Sequence, residues 1–224
     1  SECESFDIIY LKDGIKSKID KNNLPQIDLL VIAGVHGNEY GPTLGIEDYL
    51  KENGNKLKGN LVFIPRVNIS GIDEKVRFMN CLGENYNVNR NFKKNTNEFQ
   101  KRILNLVNKS NITLDFHEAY DFHIINKNSI GSTIMVSNHN ELQKLGKILI
   151  DEINKTINDK NKKFIYLNNS KYDIKNSLRN YCKLNNKLYF LIEITGQNNK
   201  QPLELRKEQT RIILHKCLKY KKFI

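Results

Sequence analysis

The chain has 224 residues, of which 39% are hydrophobic, and its 36 lysines and arginines outnumber 25 acidic residues for a net charge of +11. This length suits one domain spanning residues 1–224 with a full core, so neither disulfides nor a structural metal is needed for stability alone. No apolar run approaches the roughly 20 residues that cross a bilayer, and Ser1-Glu2-Cys3-Glu4 lacks the basic and apolar regions of a signal peptide, so no membrane partner and a cytoplasmic location are expected.

Strand-like and helix-like patterns alternate along the chain. Residues 7–11 read as a short strand, and 27–33 as a continuous apolar strand buried on both faces. Residues 43–52 read as a helix and 61–67 as a second buried strand, followed by a long polar stretch, 68–91, with no periodicity. Loops of that length are commonly functional. A helix is predicted at 98–107, strands at 112–116 and 133–136, and an amphipathic helix at 142–157. Residues 164–167 read as a strand, 174–184 as a helix, 188–195 as the most apolar strand of the second half, and 203–220 as a long final helix. Such alternation predicts an α/β domain with helices on both faces of a largely parallel sheet.

The charge does not point to nucleic acid. A binding patch gathers lysine and arginine on one face, whereas here the lysines are dispersed and accompanied by 32 asparagines, a compositional background. Cys3, Cys81, Cys182 and Cys217 form no CxxC motif and are expected as free thiols, with pairing among the four as the alternative.

In parallel sheets, chemistry gathers beyond the carboxyl ends of the strands. After the strand at 27–33 comes Gly34-Val35-His36-Gly37-Asn38-Glu39, where glycines permit a tight turn that aims His36 and Glu39 at one spot. His117 ends the strand at 112–116. Two histidines and a glutamate supply three zinc ligands and leave a position open, as catalytic zinc requires. Glu193 sits within Leu191-Ile192-Glu193-Ile194-Thr195. A carboxylate in so apolar a strand is costly unless paired or functional, and burial would raise its pKa toward that of a general base. Arg77 and Asn87-Val88-Asn89-Arg90-Asn91-Phe92 lie in the polar stretch and offer donors for a carboxylate and an oxyanion.

The ordered set His36-Gly37-Asn38-Glu39, Val67-Asn68-x-x-Gly71, Arg77, Asn87-Val88-Asn89-Arg90-Asn91-Phe92, Asp115-x-His117 and Ile192-Glu193 resembles the zinc metallocarboxypeptidase superfamily. Its members include carboxypeptidase A-like enzymes, murein-peptide amidases, aspartoacylase and succinylglutamate desuccinylase. The resemblance spans about residues 27–197 and implies a three-layer α/β/α fold around a mixed, mostly parallel sheet. It implies one Zn²⁺ per chain on His36, Glu39 and His117, with Glu193 as general base. Arg77 would stabilise the oxyanion, and Asn89 and Arg90 would hold a substrate carboxylate. The implied substrate is a small peptide or N-acyl amino acid with a free carboxylate.

Two departures stand out. The family usually has Asp where this chain has Asn87, which would accept a hydrogen bond from His36 without a charge, and Ile69 replaces a common proline. The Asn-Arg-Asn-Phe segment is closer to the peptidase branch, and Ile192 to Gln197 to aspartoacylase. The residues after Gln197 read as helical rather than as the β-rich extension of the deacylases. A compact carboxypeptidase or amidase is therefore expected, with an N-acyl amino acid deacylase as the alternative and a non-catalytic zinc- or nucleic-acid-binding protein as a third reading. Specificity candidates are Tyr172, Asp173, Lys175 and above all Arg179, which would favour acidic side chains. Tyr120, Tyr172 and Tyr181 are candidates to cover the site, and Glu118, Asp121 and His123 are left between binding and structural roles.

Overall fold

The computed structural model describes residues 5–137, 139–168 and 170–224. The elements follow in the order β1 (Ile9–Lys12), β2 (Ile15–Ser17), β3 (Leu29–Ala33), α1 (Gly41–Asn53), β4 (Asn60–Ile64), α2 (Ile69–Glu74) and α3 (Glu98–Lys109). They continue with β5 (Ile112–Ala119), β6 (Thr133–Val136), α4 (Asn140–Asn154), β7 (Ile165–Tyr166), α5 (Leu178–Leu184), β8 (Leu188–Thr195) and α6 (Leu203–Tyr220). The strands form one sheet in the order β2-β1-β4-β3-β5-β8-β6-β7. Its centre, from β4 through β3 and β5 to β8, is parallel. The pairs β1–β4 and β6–β8 are antiparallel. This is the mixed, mostly parallel α/β sheet that the sequence predicts.

Both faces of the sheet are covered. Val31, Phe63, Leu114 and Phe190 pack with Ile46 and Tyr49 of α1, Leu149 of α4 and Ile213 and Leu214 of α6. On the opposite face, Leu30, Ile32, Val62 and Leu191 pack with Phe99 and Ile103 of α3 and Leu178 and Cys182 of α5. The central strands must therefore be apolar on both sides, and β3 is buried at every position. Capping sets the starts of the helices on the second face. Asn97 accepts from the Gln100 amide at α3, and Ser177 from the Asn180 amide at α5.

The structure departs from the sequence reading in a few places. The stretch that shows no periodicity in sequence holds α2, capped by Asn68, whose side-chain oxygen accepts from the Gly71 amide at 3.0 Å. The helix expected from residue 174 starts only after Ser177. Cys182 and Cys217 are free and buried, but Cys81 is disulfide-bonded rather than free. Cys3, with the rest of residues 1–4, lies outside the described residues. Among the described residues, no helix is long and apolar enough to cross a membrane.

Candidate metal centre and active site

The loop after β3 is shaped by two glycines. Gly34 has φ +73°, a left-handed conformation that a side chain would strain. Gly37 lies so close to the backbone of Gly71 and Val76 that a Cβ there would collide with both. Its amide donates to the Arg77 carbonyl at 3.3 Å, which locks this loop to the segment carrying Arg77. His36 and Glu39 consequently point to the same place, and both are buried.

His117 arrives from β5, and it forms with His36 and Glu39 a cluster whose ligand atoms all lie within 4.8 Å of one another. His36 Nδ1 is 2.6 Å from Glu39 Oε2, and His117 Nδ1 is 3.1 Å from Glu39 Oε1. The outer nitrogens face oxygens as well, although His117 Nε2 makes no hydrogen bond. His36 Nε2 meets Asn87 Oδ1 at 2.9 Å, and His117 Nε2 faces Asp115 Oδ1 at 2.9 Å. Glu39 Oε1 also accepts from the Glu118 amide at 2.8 Å, and Oε2 from Arg77 Nη1 at 3.2 Å. The buried His36 Nδ1 lies against Glu39 yet makes no hydrogen bond. Two imidazole nitrogens converging on one carboxylate, with one of them left without a proton partner, fit a divalent cation held by three ligands with a position open.

The charges of the cluster are shifted accordingly. Burial works to raise the pKa of Glu39, but His36 and His117 outweigh it and hold the carboxyl well below its usual range. Burial lowers the pKa of His36. Burial also works against a charged His117, but Asp115 and Glu39 overcome it and leave its pKa well above the usual histidine value.

Glu193 stands beside this cluster for a reason visible in the ladder, because β5 and β8 are parallel with His117 directly opposite Glu193. The two-residue repeat of the pleat puts Asp115 and His117 on the same face as Tyr189, Leu191 and Glu193. Burial lifts Glu193 to about 8 against the opposing pull of His117. The Tyr189 hydroxyl donates to Asp115 Oδ2 at 2.5 Å, so the carboxylate that faces His117 is itself held.

A cleft of about 440 Å³ opens over these groups. Every site residue expected from the sequence lines it: His36, Glu39, His117, Glu193, Arg77, Asn89, Arg90 and Arg179. Arg90 Nη1 donates to the Asn89 carbonyl at 2.8 Å, and burial followed by the charge of Arg77 lowers its pKa. Asn89 Oδ1 accepts from the Leu178 amide at 3.0 Å, so its carboxamide ties the start of α5 to the cleft. Arg179, the next residue of α5, has a buried Nη1 with no hydrogen-bond partner.

The other candidates divide between the cleft and other surfaces. Tyr120 and Tyr172 line it, but the Tyr181 hydroxyl donates to Asn108 on another surface. Lys175 is exposed, and Asp173 is taken up by Lys183 at 2.7 Å and Asn180 at 3.2 Å. Glu118 proves structural. It accepts two bonds of 3.0 Å from the buried Arg206 of α6 and one from the Gly41 amide, while burial lifts its pKa to about 7. Sequence reasoning missed Gln197, which donates to the Glu118 carbonyl at 2.7 Å and reaches Glu39 Oε2 at 3.5 Å. It also missed Tyr189 and Ser129, which line the cleft. None of these has a local motif, and the signal for Tyr189 was only its place four residues before Glu193 on one strand face.

Comparison with known proteins bears on the family and the fold. The model of the succinylglutamate desuccinylase/aspartoacylase catalytic domain matches residues 25–158. The chain belongs to that family, within the metallocarboxypeptidase-like superfamily of hydrolases. Among curated proteins, none matches the sequence. The product-bound crystal structure of the cell shape determinant protein Csd4 from Helicobacter pylori superposes with a TM-score of 0.75 at 16% identity, covering 98% of this chain and 56% of that one. The mDAP-bound form of Csd4, described as a D,L-carboxypeptidase, gives 0.72 at 17% identity, covering 89% and 52%. A protein of Shewanella denitrificans, proposed as a metallopeptidase, gives 0.64 at 21% identity, covering 91% and 78%. The chain therefore spans a little over half the length of the Csd4 structures it matches, and these likenesses speak to the fold.

Proposed function

We propose that this chain is a zinc-dependent hydrolase of the carboxypeptidase type, a single domain that cleaves an amide bond next to a free carboxylate. The observation that carries the reading is the convergence of His36 and His117 Nδ1 on Glu39, with Glu193 opposite His117 in the ladder. His36, Glu39 and His117 would hold the ion. When bound, zinc supplies Lewis-acid polarisation of the scissile carbonyl and lowers the pKa of a water toward ~7.

The protein's own groups account for the remaining work. Glu193, whose basicity burial raises, takes the proton of the attacking water and passes it to the leaving nitrogen. Arg77 lies beside Glu39, where its remaining guanidinium donors can meet the oxygen on which charge develops. Arg90, with the Asn89 amide group, offers a clamp for the substrate carboxylate. Asn87 and Asp115 would orient the two imidazoles, whose Nδ1 atoms are turned toward Glu39.

The likeness to Csd4, whose structures include mDAP- and tripeptide-bound forms, supports a small peptide substrate. The family match favours a second reading, an N-acyl amino acid deacylase, which needs the same groups and differs only on the acyl side of the bond. A screen of zinc-loaded protein against short peptides and N-acyl amino acids tests both. Release of a C-terminal residue from peptides, abolished in Glu193→Gln, supports the first. Turnover of N-acyl amino acids alone supports the second. Turnover of neither class, or full activity in Glu193→Gln, overturns the mechanism.

A further inference from the structure

We infer that Gln197 is a positioning residue for Glu39, holding this carboxylate toward the cation while Arg77 engages the substrate. The inference rests on the hydrolase reading above, which gives Arg77 that task. Glu39 Oε2 has three nitrogen neighbours: His36 Nδ1 at 2.6 Å, Arg77 Nη1 at 3.2 Å and Gln197 Nε2 at 3.5 Å. Oε1 has two, the Glu118 amide at 2.8 Å and His117 Nδ1 at 3.1 Å. A carboxylate oxygen has two lone pairs, so Oε2 is crowded, and Gln197 makes the longest of its three contacts. A cation held at the two Nδ1 atoms needs both of them unprotonated, which removes the imidazoles as donors to Glu39. Arg77 is half-buried and divided between Oε2 and the substrate oxygen. The donors left to Glu39 alone are then one per oxygen, the Glu118 amide on Oε1 and Gln197 on Oε2.

Gln197 is fixed for this role by contacts that do not involve Glu39. The ladder between β5 and β8 closes with the Gly196 amide donating to the Ala119 carbonyl at 2.9 Å, so Gln197 is the first residue beyond it. A Cβ on Gly196 would collide with the Glu118 carboxylate and with Arg206, so only glycine lets the chain pass this point. Gln197 Nε2 carries two protons. One goes to the Glu118 carbonyl at 2.7 Å, and the other faces Glu39. The backbone of Glu118 thus donates to one oxygen of Glu39 and steadies the amide that reaches the other. The turn after Gln197 is tied down as well, because Asn199 Oδ1 accepts from Arg206 at 2.9 Å and from the Tyr40 hydroxyl at 3.4 Å. Gln197 and Asn199 therefore hold two successive residues of the ligand loop, Glu39 and Tyr40.

The test reads the metal site without turnover. Co²⁺ is the probe, because its visible absorption follows coordination number and geometry. Metal-free wild-type protein, Gln197→Met and Gln197→Ala are titrated with Co²⁺ against a competing chelator, with circular dichroism checking that each folds. Methionine keeps the length of the side chain and removes both donors. Both variants are expected to bind Co²⁺ about tenfold or more weakly, the usual loss when the support of a ligand is removed, and to shift its absorption bands. Arg77→Ala alone should cost less, and combined with Gln197→Met it should cost more than the two losses added, since each donor backs up the other. A merely structural glutamine would lower the melting temperature of the metal-free variants and leave the affinity and bands of the folded protein unchanged. That result, or strictly additive losses, overturns the inference. Failure of the hydrolase reading would appear separately, as absent turnover of peptides and N-acyl amino acids by protein whose Co²⁺ site still responds to Gln197→Met.

Discussion

Asn87→Asp is the most informative single change in this chain. Asn87 Oδ1 lies 2.9 Å from His36 Nε2 and 3.0 Å from the Asn89 amide, so one neutral oxygen orients both a metal ligand and the segment carrying Arg90. His117 has the charged equivalent in Asp115. A neutral hydrogen bond contributes about 1 kcal/mol and one to a charged group about 1.5–3 kcal/mol. The substitution should thus strengthen the hold on His36 by about 1 kcal/mol, or about fivefold in zinc affinity. It also makes His36 the more basic ligand. Competition for zinc between metal-free protein and a chromogenic chelator measures this at pH 8. Asn87→Ala, which removes the acceptor, should lose about 10–100-fold. Unchanged or weaker binding in a folded Asn87→Asp would refute the idea that this oxygen supports the metal through His36.

Three further predictions concern stability. Arg206→Leu leaves Glu118 buried without its partner, since both side chains are almost wholly inaccessible, and should cost about 3–5 kcal/mol in urea unfolding. Leu114→Ala, in the middle of β5, removes a side chain that is completely buried and should cost about 2–5 kcal/mol by the same assay. Burial pushes the Cys217 thiol up to about 12 from its ordinary 9.0. The neutral thiol is the form the fold prefers, so its contribution is complete below pH 9 and is lost as pH rises from 9 toward 12. The alkaline decline in melting temperature should be shallower in Cys217→Ala, and an identical decline would contradict this assignment.

Much of the fold was legible because burial on both faces forces an unbroken apolar run. The strands at 133–136 and 188–195 and the helix at 203–220 carry the bounds the sequence predicts. β2 escaped because it is three residues long and presents an exposed Ile15 after a glycine turn. α2 escaped because six residues are too few to show a period, and its start depends on the Asn68 cap. The candidate site was legible where chemistry dictates residue type: a histidine and a glutamate after β3 and an arginine after β4 stand out against a lysine- and asparagine-rich background. Its supporting contacts were not, because Tyr189–Asp115 depends on the register between β5 and β8, and Glu118–Arg206 on where α6 docks. Lys175 was credible in sequence and lies elsewhere, since α5 starts only after Ser177, and Tyr181, within α5, turns its hydroxyl to Asn108.

Hydrolysis as a function of added zinc tests the central claim most directly. Metal-free protein is titrated with zinc against the best substrate from the peptide and N-acyl amino acid screen. Activity should be absent at the start, rise in proportion to the metal and level off at about one equivalent per chain, the capacity of a single three-ligand site. Full activity before any metal is added, or none at any zinc concentration, would contradict the account.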